Sequence, residues 1–207
     1  PNFNPRLRLA IEKAKAGNMP KDILERAIKK GSGELEGVDF TEMRYEGYGP
    51  AGTAFIVEAV TDNKNRTASE MRMTFSRKDG NLGADGAVSW MFKKKGIITV
   101  KSEGIDMDEF MMAALEAGAE DVEETDGVFE VTTEYTEFQT VLENLKNAGY
   151  QYEDAEITMI PENTVEITDL ETAKKVMALY DALEDLDDSQ NVYSNFDISD
   201  EILEQLD

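Results

Sequence analysis

The chain has 207 residues, of which 41% are hydrophobic, and it is long enough for one large domain or roughly two to three small ones. It contains no cysteine and no histidine, which excludes disulfide frameworks, thiolate metal sites, histidine-based catalytic triads and most transition-metal chemistry. Its longest apolar stretches are about eight residues, too short to span a bilayer, so we expect a soluble protein with no membrane partner, and the lack of cysteine suits a reducing interior.

The net charge of −23 is distributed unevenly along the chain. Residues 1–30 carry eight cationic against three anionic side chains, residues 31–101 carry ten against ten, and residues 102–207 carry three against 31. Because charges in physiological salt are screened over about 8 Å, a distant acidic region would not cancel a basic surface. The sequence therefore predicts a basic surface in the leading half that can hold a polyanion locally.

Two short helices are predicted at the start of the chain. Asn4 and Pro5 form a typical helix start, with asparagine as the N-cap and proline in the first turn. Residues 17–20 end this helix, and a second runs from Lys21 to Lys30. The pair is a basic helical hairpin, either a DNA-reading helix-turn-helix or an ordinary packed hairpin. Residues 31–37 have the composition of a linker, and we place a domain boundary there.

Residues 47–52 read Gly-Tyr-Gly-Pro-Ala-Gly and fit the pattern G-x-G-x-x-G of dinucleotide-binding loops. In such loops the glycines open a helix, whose N-terminal amides face the phosphates. Here an apolar, β-branched run from Ala54 to Thr61 follows, and Pro50 lacks an amide donor. We interpret the stretch as a tight turn that leads into a strand.

A basic βαβ unit follows. The helix predicted from Arg66 to Lys78 places Arg66 and Arg77 on nearly the same outward line. A strand predicted from Ala87 to Phe92 continues into three consecutive lysines, so the unit has a basic rim.

The order βαββαβ of a ferredoxin-like α/β sandwich is predicted for residues 97–160. Its elements are strand Ile97 to Lys101, helix Met107 to Ala117, strands Asp121 to Glu124 and Val128 to Thr133, helix Glu137 to Ala148 and strand Glu153 to Ile160. Another βαβ half follows, with strand Val165 to Thr168, helix Glu171 to Leu183 and strand Asn191 to Phe196.

These elements predict an α+β fold with an N-terminal helical domain and two ferredoxin-like α/β sandwich domains, the last inserted in the middle one. The boundaries are residues 1–38 for the helical domain, 39–96 plus 163–207 for a discontinuous middle domain, and 97–162 for the acidic inserted domain.

Metal and catalytic sites are not indicated. The segments that begin at Asp79 and Asp185 start like EF-hand loops, but neither has glycine at the sixth position or glutamate at the twelfth. The 44 carboxylates make close acidic pairs uninformative, and no nucleophile motif is present. We expect a non-enzymatic protein with no cofactor and no bound metal.

Seven motifs in one order carry a family resemblance. They are Asn4-Pro-Arg-Leu-Arg-Leu-Ala, Asn18-Met-Pro-Lys-Asp, Glu25-Arg-Ala-Ile-Lys-Lys-Gly, Tyr45-Glu-Gly-Tyr-Gly-Pro-Ala-Gly, Thr61-Asp-Asn-Lys-Asn-Arg-Thr-Ala, Gly80-Asn-Leu-Gly and Val88-Ser-Trp-Met-Phe. With them, residues 4–206 resemble the YebC/PmpR family. The resemblance implies three domains around a central cleft, as well as a basic segment upstream of Asn4. Met73 departs from the family pattern, which often has histidine there.

The resemblance also implies a cytoplasmic, non-enzymatic regulator of gene expression. Bacterial members are described as transcriptional regulators that bind promoter DNA, whereas others, including mitochondrial relatives, act in translation at the ribosome. The expected function is therefore a DNA-binding transcriptional regulator; the alternative is a ribosome-associated translation factor that binds ribosomal RNA and ribosomal proteins.

The candidate nucleic-acid-binding residues are the cations of the hairpin and of the middle unit. They are Arg6, Arg8, Lys13, Lys15, Lys21, Arg26, Lys29, Lys30, Lys64, Arg66, Arg72, Arg77, Lys93, Lys94 and Lys95. The alternative is that these side chains are solvated or pair with neighbouring carboxylates. The acidic residues 102–207 form either an ordinary soluble surface or a docking site for a basic protein partner.

Overall fold

The computed structural model describes residues 4–34 and 39–206, without the side chains of Pro5 and Arg6. Within these ranges the chain forms a mixture of α-helices and largely antiparallel β-sheets, as predicted. The helices are α1 (Pro5–Ala16), α2 (Lys21–Gly31), α3 (Lys64–Arg77), α4 (Met107–Ala117), α5 (Phe138–Asn147), α6 (Leu170–Glu184) and α7 (Asp200–Leu203). The strands are β1 (Thr41–Tyr48), β2 (Ala54–Thr61), β3 (Asn81–Leu82), β4 (Phe92–Lys101), β5 (Asp121–Thr125), β6 (Val128–Glu134), β7 (Tyr152–Pro161), β8 (Val165–Ile167), β9 (Ser189–Ser194) and β10 (Phe196–Ile198).

The helical hairpin begins as its sequence predicts. The side chain of Asn4 accepts a hydrogen bond of 3.0 Å from the amide of Leu7, and Pro5 occupies the first turn of α1. Helix α2 has no buried residue. Residues 35–38 of the predicted linker lie outside the described part of the chain.

The first sheet has the strand order β3-β1-β2-β9, and it explains the glycine-rich stretch. Strand β1, which sequence analysis missed, contains Gly47 at a point where a Cβ atom would lie 2.7 Å from the carbonyl oxygen of Asn81 and 2.7 Å from the ring of Phe75. A short 3-10 turn at Pro50–Gly52 then leads into β2, so the prediction of a turn before a strand is confirmed. The glycine allows close packing of helix and sheet.

Helices α3 and α6 cover one face of this sheet. Phe55 from β2 meets Phe75 from α3 edge to face, with ring centroids 6.2 Å apart, and Met71 and Leu179 are fully buried beside them. This packing fixes α3 along one side and leaves its opposite face in solvent.

The second sheet has the strand order β5-β6-β4-β7, with α4 and α5 on one face. Phe110 from α4 stacks on Phe129 from β6 at a centroid distance of 4.5 Å. The predicted element order βαββαβ is present, but β4 runs unbroken from Phe92 to Lys101. The division predicted between residues 96 and 97 therefore lies inside a strand. The strand predicted before Phe92 is instead a 3-10 turn at Ser89–Met91.

The last predicted strand is two strands that belong to different sheets. Strand β9 pairs with β2, whereas β10 pairs in parallel with β8 in a separate two-stranded sheet. Asn195 is the residue between β9 and β10. Its side chain accepts a hydrogen bond of 2.7 Å from the amide of Ala54 and donates one of 3.2 Å to the carbonyl of Asn163, which links the two sheets. Of the strands after residue 162, only β9 thus belongs to the first sheet, whereas β8 pairs with β10.

Candidate nucleic-acid interface

The cationic side chains divide into those that pair with carboxylates and those that do not. Within residues 4–34 and 39–206, every cation from Lys95 onward lies within 4.0 Å of a carboxylate oxygen. The described cations that have no such partner all lie between residues 15 and 94. They are Lys15, Arg26, Lys29, Lys30, Lys64, Arg72, Arg77, Lys78 and Lys94. We call them the free cations.

Helix α2 presents three of the free cations. Arg26, Lys29 and Lys30 are exposed, and the Lys30 ammonium lies 5.2 Å from the centre of the Phe40 ring. Lys21, at the start of the helix, lies 3.8 Å from Glu25 one turn away, which is a weak and exposed contact. The predicted basic character of α2 is therefore retained on its surface.

Helix α3 presents an outward face that is rich in hydrogen-bonding side chains and free of acids. Thr67, Met71 and Phe75 face the sheet, whereas the outward residues lie within about 60° of arc at 100° per residue. The outward residues are Asn65, Ser69, Arg72 and Ser76, all exposed. Lys64 in the first turn and Arg77 in the last turn are also exposed but lie outside this arc, and the helix's one acid, Glu70, is half-buried.

Arg66, one of the predicted nucleic-acid contacts, forms ion pairs within the fold and is not one of the free cations. Its guanidinium donates to Asp62 at 2.9 Å and to both carboxylate oxygens of Asp188 at 2.9 and 3.1 Å. Thr67 also donates to Asp188 at 2.6 Å. Burial alone would raise the pKa of Asp188, but the hydrogen bonds from Thr67 and Arg66 hold it below its usual value. Asp188 lies 122 residues from Arg66, so no local pattern reveals the pair.

Two predicted residues of α1 contact the acidic half of the chain. Lys13 lies 2.9 Å from Asp154, and Arg8 lies 3.7 Å from Glu143. The predicted separation of the basic helix from the acidic region is therefore wrong at these positions. The side chain of Arg6, also predicted as a contact, lies outside the described part of the structure.

The predicted basic rim at Lys93–Lys95 is largely neutralised. Lys93 pairs with Glu162, and Lys95 pairs with Glu134 and, at 2.6 Å, with Glu120. Lys94 lies 5.7 Å from the centre of the Tyr135 ring.

Lys94 also lines a cleft of about 620 Å³. The charged side chains that line this cleft are Glu42, Arg44, Glu58, Asp85 and Lys94, so acids outnumber cations there. The cleft is therefore less suited to phosphate than the outer faces of α2 and α3.

Two exposed side chains were not among the predicted residues. Lys78, which follows α3, is exposed and is one of the free cations, although its place at the end of a predicted basic helix could have suggested it. Trp90 is 66% exposed, and its indole N–H donates to the carbonyl of Ala87 at 3.1 Å. Glu46 fixes this loop by accepting the amides of Val88 and Ser89 at 2.9 and 2.8 Å.

Two family models match the chain. The model described as the TACO1/YebC protein N-terminal domain matches residues 1–34, and the model described as the TACO1/YebC second and third domain matches residues 40–196. The chain belongs to the TACO1/YebC family. This confirms the resemblance drawn from the seven sequence motifs.

Relatives and a solved structure from the TACO1/YebC family match nearly the whole chain. A probable transcriptional regulatory protein of Fusobacterium nucleatum subsp. nucleatum is 95% identical over 207 residues, which is 100% of this chain and 83% of that protein. A probable transcriptional regulatory protein of Halothermothrix orenii is 53% identical over 100% of this chain and 82% of its own length. The crystal structure of a conserved hypothetical protein from Aquifex aeolicus has a TM-score of 0.86 and 52% identity, covering 98% of this chain and 84% of its own.

The described residues show neither a membrane span nor a metal cluster. No helix in residues 4–34 and 39–206 combines the length and apolar character needed to cross a bilayer. The same ranges contain no group of three or more acidic side chains placed to hold a metal ion.

Proposed function

We propose that this TACO1/YebC chain is a regulator of gene expression that binds the phosphate backbone of DNA through α2 and α3. The observation that carries the proposal is the distribution of free cations, which in the described residues are confined to positions 15–94. Exposed lysines and arginines that pair with no carboxylate can exchange bound counterions for phosphates, which favours binding to a polyanion. The names of the Fusobacterium and Halothermothrix relatives support a role in transcriptional regulation.

The geometry of α3 favours backbone contact over base reading. Its outward face offers one arginine among short amide and hydroxyl side chains, which suit hydrogen bonds to phosphate oxygens. Because α3 is packed on the sheet along its whole buried side, it presents a fixed surface without a rearrangement of the fold. We therefore expect affinity to fall steeply with salt and to vary little with base sequence.

The proposal also covers the domain organisation of the chain and its mode of action. We infer that the second sheet with α4 and α5 is a ferredoxin-like domain inserted between two parts of the middle domain, and that it begins near Phe92 where β4 starts. We also infer that the protein acts by binding rather than catalysis, and that it acts in the cytoplasm.

Charge reversal on α3 tests the proposal. The variant Arg72→Glu/Arg77→Glu is compared with Lys174→Glu/Lys175→Glu, which has the same change in net charge at two cations that already pair with acids. Fluorescence anisotropy at low salt measures binding to a DNA duplex and to a structured RNA. We expect the α3 variant to lose at least about tenfold in affinity for DNA and the control to change by about twofold or less.

Three results would overturn the proposal. Wild-type protein that binds neither nucleic acid would remove the function, and unchanged binding by the α3 variant would remove the surface. A marked preference for the structured RNA would replace DNA by a ribosomal target. Arg66 is unsuitable for this test because its loss would also leave Asp188 without its cation.

A further inference from the structure

We propose that the acidic surface of β7 and α5 is a docking site for α1, and that α1 and nucleic acid compete for this contact. Docked α1 holds part of the basic hairpin against the protein's own carboxylates and lowers its affinity for phosphate. The proposal rests on the proposed function, because nucleic acid is the competitor, and it adds a mechanism that restrains binding.

The first observation is a set of ion pairs between parts of the chain that are far apart in sequence. Lys13 of α1 lies 2.9 Å from Asp154 and 3.6 Å from Glu156. These two acids are two residues apart on β7 and therefore point to the same face of the strand. One turn earlier on α1, Arg8 lies 3.7 Å from Glu143 of α5.

The second observation is that the charges match position by position. Glu12 is the one acid of α1, and Lys146 is the one cation between residues 102 and 173. The structure places these two together at 3.9 Å, and Tyr152 donates a hydrogen bond of 2.9 Å to Glu12. A nonspecific attraction between an acidic surface and a basic helix would not place the one acid of the helix beside the one cation of that surface. The pattern is complementary and therefore specific.

An apolar contact completes the docked surface. Leu9 packs against the core of the second sheet and points in a direction between those of Arg8 and Lys13 on α1. The Lys146 ammonium also lies 4.6 Å from the centre of the Tyr152 ring. Helix α1 thus adds one apolar contact, from Leu9, to the ion pairs of Arg8 and Lys13.

The docked state is weak enough to be displaced. The side chains of the three ion pairs of Arg8 and Lys13 are 42–60% exposed, and exposed pairs contribute little stability each. When α1 is docked, the carboxylates of β7 and α5 compete with phosphate for Arg8 and Lys13, so the apparent affinity for DNA is lower the smaller the undocked fraction is. A polyanion that offers these cations several phosphates competes directly with the carboxylates of β7 and α5.

The test removes the acidic partners of Lys13. The variant Asp154→Asn/Glu156→Gln is compared with Glu123→Gln/Glu130→Gln, which loses the same charge from the same sheet at exposed residues that form no ion pair among the described residues. Because the chain has no cysteine, Ala16→Cys and Thr140→Cys can carry spin labels that report the distance between α1 and α5. Binding to a DNA duplex is measured in parallel.

We expect the Asp154/Glu156 variant to bind DNA about fivefold more tightly than the control. We also expect a narrow label distance in the free wild-type protein, which broadens in this variant and when DNA is added to wild type. Equal affinities of the variant and the control, or an unchanged label distance in the DNA complex, would overturn the proposal while the α3 surface stands. If wild type binds no DNA, the proposed function fails, and with it the competition.

Discussion

Asp188 is the residue whose replacement should show most clearly that Arg66 has a structural role. The carboxylate is about nine-tenths buried in the turn before β9 and accepts hydrogen bonds from Arg66 and Thr67. The substitution Asp188→Asn keeps the size of the side chain but removes its charge. One amide oxygen remains to accept from Thr67, while the amide nitrogen would face the guanidinium of Arg66, donor against donor.

The expected loss follows from these contacts. Hydrogen bonds to a charged group contribute about 1.5–3 kcal/mol each. The loss is smaller than the sum of these contributions, because the Arg66 side chain is partly exposed to solvent and keeps Asp62 as a partner. We therefore expect Asp188→Asn to lower the free energy of unfolding by about 2 kcal/mol. For a chain of this size, that loss corresponds to a fall of about 4–8 °C in Tm.

Thermal and urea unfolding followed by circular dichroism measure the change, with Asp187→Asn as the control. Asp187 is the preceding residue, is exposed and forms no ion pair among the described residues, so its replacement should change Tm little. Since the pKa of folded Asp188 is lowered, its contribution is complete above the unfolded-state pKa of about 3.9. It is lost as the pH falls through the lower folded-state value, so the gap between wild type and Asp188→Asn should close in acid.

Two results would refute this reasoning about Asp188. Equal stability of Asp188→Asn and Asp187→Asn at neutral pH would mean that the pair with Arg66 contributes nothing. A gap that persists unchanged in strong acid would mean that the loss comes from packing and not from the charge.

Two further substitutions test the packing around the first sheet. Gly47→Ala should lower the free energy of unfolding by about 2 kcal/mol, because the added methyl group would overlap β3 and α3. The control Gly31→Ala should not lower it, because a Cβ atom there meets no neighbouring group within 4 Å. Equal urea midpoints of the two variants would contradict this. Glu46→Gln should lower the free energy of unfolding by about 1–2 kcal/mol and, by loosening the loop of residues 88–90, lower the fluorescence anisotropy of Trp90, the one tryptophan. An unchanged anisotropy and an unchanged urea midpoint would show that the Glu46 carboxylate does not anchor this loop.

Local signals in the sequence were enough to predict several elements. The predicted bounds of α4, Met107 and Ala117, are those of the structure, and the start of α1 follows from Asn4 and Pro5. The exposure of Arg72 and Arg77 on α3 also follows from periodicity, because Met71 and Phe75 mark the buried side.

The remaining features depend on contacts that are distant in sequence. Strand β1 was missed because Gly47 interrupts its pattern, and the need for glycine there comes from Phe75 of α3. The pairing of Arg66 depends on Asp188, and the pairing of Lys13 depends on Asp154, both more than 100 residues away. Charge counts along a chain therefore predict which regions are basic, but only the fold decides which cations remain free.

The salt dependence of DNA binding tests the central claim most directly. The measurement compares wild type with Lys64→Ala/Arg72→Ala/Arg77→Ala and with the control Lys101→Ala/Lys174→Ala/Lys175→Ala, whose cations already pair with acids. The slope of log Kobs against log salt is negative, and each lost phosphate contact reduces its magnitude by about 0.9. The magnitude should therefore be smaller by about 2–3 for the α3 variant than for wild type and for the control. Equal slopes in all three proteins would contradict the account.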